Sequence, residues 1–206
     1  MGSVPAMRRE LDGCAHPVAV RVGLEEAPGG NASAMANTET RTASQGILSD
    51  DNAGKREEVI ELLKKAYWME IETVMSYIAN AINPDGVRAQ EIVESLEKDI
   101  QEELGHARQF AQRIKELYGV VPGSTDFEAE QTYLQPPEHQ TDIVHVIKGV
   151  IEAETGAIEH YNRIIEATDG VDWVTQDMVI QILHDEEGHR RLFEGYLREY
   201  QAEGLA

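Results

Sequence analysis

From Lys55 onward, apolar residues return every three or four positions through four successive stretches, with no run of period two. A period near 3.6 marks an amphipathic helix, whereas a half-buried strand repeats every two residues. The first series is Ile60, Leu63, Tyr67, Ile71, Val74 and Ile78, closing at Asn83-Pro84-Asp85-Gly86. The second runs Ile92, Leu96, Ile100, Ala107, Phe110, Ile114 and Leu117, closing at Gly119 and Pro122. The third is Ile143, Ile147, Val150, Ile151, Ile158, Tyr161 and Ile165, closing near Asp169-Gly170. The fourth is Val179, Ile182, Leu183, Phe193, Tyr196, Leu197 and Tyr200, ending by Gly204. Helices that are apolar on one side only must bury those sides against one another, so the expected fold is an all-α four-helix bundle. Short links join helices 1–2 and 3–4. A connection of roughly twenty residues, with Pro122-Gly123 and Pro136-Pro137, joins helices 2 and 3, which calls for a lengthwise crossover.

Residues 1–54 follow a different rule. They are rich in Gly, Ala, Ser, Thr, Asn and Pro and carry no period, so the expectation is a disordered acidic tail ahead of a domain spanning 55–206. The tail has four Arg, seven acidic residues and no Lys, the wrong sign for a DNA-binding arm. Met7 and Met35 offer alternative starts within it.

Charge narrows the function classes. Eighteen Lys and Arg face 38 Asp and Glu, a net charge of −20. Such a surface repels phosphate backbones and anionic lipid, so neither nucleic acid nor membrane is an expected partner. One cysteine, Cys14, cannot build a disulfide framework, a thiolate metal cage or a CxxC redox pair within one chain. No run approaches the ~18 apolar residues of a membrane helix, and Arg8, Arg9, Glu10 and Asp12 interrupt any signal-peptide core. A soluble, cytoplasmic protein is expected.

The informative residues are polar ones that fall inside the apolar stripes. At about 100° per residue, Glu70 lies about 65° from the centre of the first stripe, and Glu72 about 135° away, toward water. Glu103 lies near the centre of the second stripe with His106 at its edge, while Glu102 points outward. Glu154 is central on helix 3, and Glu152 and Glu159 face out. On helix 4, Glu186 and His189 face in and Glu187 does not. Four carboxylates and two imidazoles thus converge on one interior. Buried unpaired carboxylates are costly, and four together repel one another. No Lys or Arg is central to any stripe, so the natural counter-charge is a metal cation.

Spacing adds to this. Glu103-x-x-His106 and Glu186-x-x-His189 each put a carboxylate and an imidazole on one side of a helix, one turn apart. With one Glu from each remaining helix, the set can hold two metal ions bridged by two carboxylates. Mixed oxygen and nitrogen donors with open positions suit iron or manganese better than structural zinc. The two halves also repeat: Glu70 precedes Tyr77 by seven and Glu154 precedes Tyr161 by seven, each ahead of a Glu-x-x-His helix.

This pattern resembles the di-iron carboxylate proteins of the ferritin-like superfamily, whose four-helix bundles carry two such motifs plus one Glu from each remaining helix. The similarity covers roughly residues 55–200 and is greatest to bacterioferritin, above all along Asp177-Met178-Val179-Ile180-Gln181-Ile182-Leu183-His184-Asp185-Glu186-Glu187-Gly188-His189. It implies ferroxidase ligands at Glu70, Glu103, His106, Glu154, Glu186 and His189, with Mn or Zn able to stand in for Fe. The haem-ligating Met of bacterioferritins is replaced by Leu104, so haem is not expected. Only 17 residues follow His189, too few for the fifth helix of 24-subunit cages. A homo-oligomer is therefore expected as a 12-subunit, Dps-like shell or another cage, ahead of a 24-mer.

The implied function is oxidation of Fe(II) by O₂ or H₂O₂, for iron storage or detoxification in a protein cage. The alternatives are a stand-alone peroxidase of rubrerythrin type and a non-storage di-metal-binding bundle. Tyr77 either hydrogen-bonds a ligand, supplies an electron, or is a core tyrosine with a satisfied hydroxyl. His139, His145, His160 and His184 miss the ligand pattern, and Trp68 and Trp173 are expected to be packing residues.

Overall fold

Each reversal of the chain falls where local chemistry ends a helix. The computed structural model describes residues 46–206, so the expectations for residues 1–45, including Cys14 and the alternative starts, lie outside the described residues. Four long helices follow one another there: α1 (Ala53–Ile82), α2 (Ala89–Glu116), α3 (Ile143–Thr168) and α4 (Trp173–Ala202), with no strand among the described residues. Asp142 caps α3 by accepting from the His145 amide at 3.0 Å, and Asp172 caps α4 by accepting from Thr175 at 3.1 Å. At the end of α2 the Tyr118 amide donates to Lys115 O at 3.0 Å and the Gly119 amide to Ile114 O at 2.9 Å. This is the Schellman pattern, with Tyr118 at φ 68° in the left-handed position that glycine usually takes. The glycine sits one residue later, where a Cβ would come within 2.9 Å of Ile114 and 3.0 Å of Ile60.

The helices form the four-helix bundle that the spacing predicts, with α1 packed along α2 and α3 along α4. Residues 117–142 form the long crossover, with short 3₁₀ turns at Ser124–Asp126 and Thr132–Leu134. Pairing of Tyr77 with Glu154 and Tyr161 with Glu70 shows that α1 and α3 run antiparallel. Pairing of Arg113 with Asp172 and Ser95 with Tyr196 shows the same for α2 and α4.

Two apolar clusters fill the interior. One contains Leu63, Phe110, Ile114, Tyr161, Ile164 and Ile182, and the other Tyr77, Ile92, Leu96, Ile147, Val150 and Phe193. No helix among the described residues is long and apolar enough to cross a membrane.

Several placements differ from the periodic reading. The buried face of α1 runs through Val59, Leu63, Ala66, Glu70, Thr73, Tyr77 and Asn80, so Ile71 and Val74 are half-buried and Ile78 is exposed. Glu72, expected in water, is buried, because the crossover folds over that side of α1. Its carboxylate accepts from the backbone amides of Glu130 and Gln131 at 2.7–3.0 Å. Trp68 packs between Tyr67 and Phe127, whereas Trp173, expected to pack, is 69 % exposed at the start of α4. The chain also folds earlier than Lys55: Ile47 is buried against the first cluster, and Arg56 donates to the carbonyls of Ile47 and Ser49.

Candidate metal centre

Antiparallel packing brings one polar residue of α1, two of α2, one of α3 and two of α4 to a single interior level. Glu70, Glu103, His106, Glu154, Glu186 and His189 are all between 1 and 6 % exposed. They form two overlapping sets, Glu70–Glu103–His106–Glu186 and Glu103–Glu154–Glu186–His189, with the donor atoms in each within 4.8 Å of one another. Each set is three carboxylates and one imidazole, and Glu103 and Glu186 belong to both.

Both imidazoles turn Nδ1 inward. His106 Nδ1 is 2.9 Å from Glu103, 3.1 Å from Glu186 and 3.9 Å from Glu70. His189 Nδ1 is 3.2 Å from Glu103 and 3.7 Å from Glu186. Their outer nitrogens face acids on the opposite helix. His106 Nε2 lies 3.5 Å from Asp185, and His189 Nε2 lies 2.9 Å from Glu102 and 3.7 Å from Asp99. Glu102, expected to face water, is therefore half-buried against α4. Carboxylates behind metal-binding imidazoles set the tautomer and ring orientation.

The remaining glutamates are held crosswise by tyrosines. The Tyr77 hydroxyl donates to Glu154 Oε1 at 2.5 Å, and the Tyr161 hydroxyl donates to Glu70 Oε1. Burial and the facing carboxylate push both phenols well above their ordinary range, so they remain donors.

Among the described residues, no Lys or Arg pairs with the cluster. Arg113 is buried, which the stripes did not foretell, but it is bound to Asp172, Thr175 and Glu116 rather than to the four glutamates. Burial and the charges of Glu103 and Glu186 push Glu70 and Glu154 far up. Burial alone would lower both imidazoles, but the close approach of Glu103 and Glu186 overcomes it, raising His106 to about 10 and His189 to about 12. Burial would raise Glu186, yet the close approach of the two histidines holds it down at about 2.

Glu103 Oε1, Glu186 Oε1 and His189 Nδ1 are buried without a hydrogen-bond partner, which the interior of a bundle ordinarily does not tolerate. Six oxygen and nitrogen donors with orphaned inward atoms fit a pair of divalent ions of iron or manganese type. Because burial and the surrounding carboxylates push Glu70 and Glu154 up, and the same carboxylates raise His106 and His189, filling the centre should release protons, and affinity should rise with pH. Calorimetry with Mn(II) in buffers of different ionisation enthalpy measures this, and binding with no proton release contradicts this donor set.

All six residues singled out in the sequence come together, and Tyr77 reaches Glu154. His139, His145 and His184 are exposed, and His160 is buried with Nε2 2.9 Å from Leu62 O, so all four stand apart from the cluster. Periodicity did not flag Asp99, which is 1 % exposed behind His189. Its place one turn before Glu103 was the available signal.

The family model for the ferritin-like domain matches residues 60–202. Across 146 residues the chain is 33 % identical to the DNA protection during starvation protein of Pyrococcus furiosus, over 68 % of this chain and 77 % of that protein. It is 26 % identical over 147 residues to the bacterioferritin of Desulfovibrio desulfuricans, covering 69 % of this chain and 78 % of that one. Among solved structures, the dodecameric thioferritin of Bacteroides fragilis superposes with TM-score 0.63 at 24 % identity, over 72 % of this chain and 89 % of that one. The Desulfovibrio desulfuricans bacterioferritin, solved with its diiron site in different catalytic states, superposes with TM-score 0.61 at 23 % identity, over 73 % and 84 %. At these identities the two structures speak for the fold. With its helices covered almost end to end by the family model, the chain belongs to the ferritin-like domain family.

Proposed function

We propose that this chain is a ferroxidase that oxidises Fe(II) inside each bundle with O₂ or H₂O₂ and stores the product in a homo-oligomeric cage. The observation that carries the reading is the set of six buried donors with orphaned inward atoms. Fe(II) is here the substrate. Glu103 and Glu186 would span two ions, with Glu70 and His106 completing one position and Glu154 and His189 the other. Carboxylates shift readily between terminal and bridging modes and favour the harder, more highly charged Fe(III). With peroxide as oxidant, two Fe(II), one H₂O₂ and two protons give two Fe(III) and two waters. Tyr77 and Tyr161 orient the terminal carboxylates, and apolar side chains such as Leu63 and Leu96 shield the layer from bulk water.

Storage is supported by the relatives' names and by the dodecameric thioferritin among the structural neighbours. A shell of twelve 22.9 kDa chains would have a mass of about 275 kDa. Size-exclusion chromatography of the full chain after aerobic Fe(II) loading tests this. A shell of that order retaining far more than two irons per chain is the expected result. A dimer that stops at two overturns storage and leaves the peroxidase or di-metal-binding readings.

A further inference from the structure

The crossover that folds over α1 leaves a cleft beneath it. Trp68, Met69 and Glu72 of α1 face Asp126, Glu128 and Gln131 of the crossover across a cavity of about 340 Å³. Its inner wall is tied down. The Glu72 carboxylate accepts from the amides of Glu130 and Gln131, and Gln131 Nε2 donates to Thr73 Oγ1 at 2.8 Å and to Met69 O at 3.3 Å. Gln131 is 4 % exposed, yet its Oε1 has no hydrogen-bond partner. Buried amide oxygens are ordinarily satisfied, so this one calls for a donor that the chain does not supply.

The cleft is also short of positive charge. Glu72, Asp126, Glu128 and Glu130 line it with one cation, Lys65, which pairs with Glu130. Asp126 and Glu128 are exposed and have no ion pair among the described residues. Burial and the charges of Glu152, Glu72 and Glu130 push the Tyr133 phenol above its ordinary range, a sign of how negative this wall is. Between the two groups of acids the lining is apolar: Trp68, held between Tyr67 and Phe127, stands beside Met69. A single metal ion would leave most of this volume empty and would find no imidazole in it.

We propose that this cleft binds a linear organic diamine, protonated at both ends. One ammonium donates to Gln131 Oε1 beside the Glu72 carboxylate, and the other meets Asp126 and Glu128 at the rim. The methylene chain lies along Trp68 and Met69. An ammonium flanked by carboxylates and an aromatic face gains from both. Lys65 competes for the same negative field, and a bound diamine adds a further tie between the crossover and α1.

Calorimetric titration of the metal-free full chain with putrescine in about 0.15 M salt tests the site. Trp68 emission is followed alongside in a Trp173→Phe background. One saturable equivalent per chain that shifts this emission is expected, and butylamine, with one charge, should bind at least about tenfold more weakly. Gln131→Met, which keeps the length and removes the orphaned oxygen, should weaken putrescine at least about tenfold. Because Gln131 also holds the crossover down, Asp126→Asn with Glu128→Gln, at exposed positions, gives a second test with the same expected loss. Lys65→Gln, which frees Glu130, should tighten binding, whereas Arg198→Gln, exposed on α4, should leave it unchanged. Affinity that survives both the Gln131 substitution and the double substitution overturns the assignment, as does an unmodified chain with no saturable equivalent. Displacement by an equal concentration of Mg(II) marks a diffuse counterion and overturns it too.

Discussion

Replacing Glu103 and Glu186 together with alanine is expected to abolish fast Fe(II) oxidation, lowering its rate at least about 100-fold, because each residue belongs to both donor sets. The helices should remain. In the metal-free chain these two carboxylates are the main cause that raises His106 and His189, so in the variant both imidazoles fall back. The interior then holds two glutamates where it held four, an arrangement that a bundle tolerates more readily. Far-ultraviolet circular dichroism should be unchanged. The unmodified chain should gain about 2.7 kcal/mol of stability at a metal concentration 100 times its Kd, while the variant gains nothing. Oxidation at the unmodified rate in the double variant would place the chemistry elsewhere.

The largest structural effect is expected at Arg113, far from the centre. Its guanidinium donates from Nη2 to Asp172 Oδ1 at 2.8 Å and from Nε to Thr175 Oγ1 at 2.8 Å, and Nη1 pairs with Glu116 at 3.0 Å. Asp172 is 1 % exposed at its side chain and also caps α4. Arg113→Met removes the guanidinium and strands that carboxylate, which should cost about 3–5 kcal/mol. For a chain of this length the melting temperature should fall by roughly 10 °C. Adding Asp172→Asn keeps a capping side chain but removes the stranded charge, so the double variant should recover most of the loss. Thermal denaturation of the two variants decides the matter. A loss below about 1 kcal/mol in Arg113→Met would mean that solvent reaches the pair. The contact ties the end of α2 to the start of α4, the two helices that carry the Glu-x-x-His motifs, so loss of metal affinity should accompany the loss of stability.

The helices were legible because their signal is local. Apolar spacing needs only the 3.6-residue period, and the ends at Gly86 and Gly119 need only turn chemistry. The same period singled out Glu70, Glu103, His106, Glu154, Glu186 and His189, since an acid inside an apolar stripe has few other uses. It failed where a side chain is buried by something other than its own helix's neighbours. Glu72 lies on the far side of α1 and is covered by the crossover, whose position no helical period contains. Arg113 is buried by its pairing with the cap of α4, a contact with a residue distant in the chain. Glu102 points away from the centre of its own stripe yet meets His189 across the α2–α4 seam.

By itself, then, the sequence determined that four amphipathic helices form and that six donors lie on their inner faces, because both follow from rotation per residue along one helix. Tertiary structure alone decided which atoms meet. The antiparallel register of α1 with α3 gives Tyr77 to Glu154 and Tyr161 to Glu70. The register of α2 with α4 sets His189 between Glu103 on one side and Asp99 with Glu102 on the other. Distances of a few ångströms between residues some ninety positions apart depend on how whole helices slide and turn against each other. That is settled by packing summed along their full length, and no single stretch of the chain carries it.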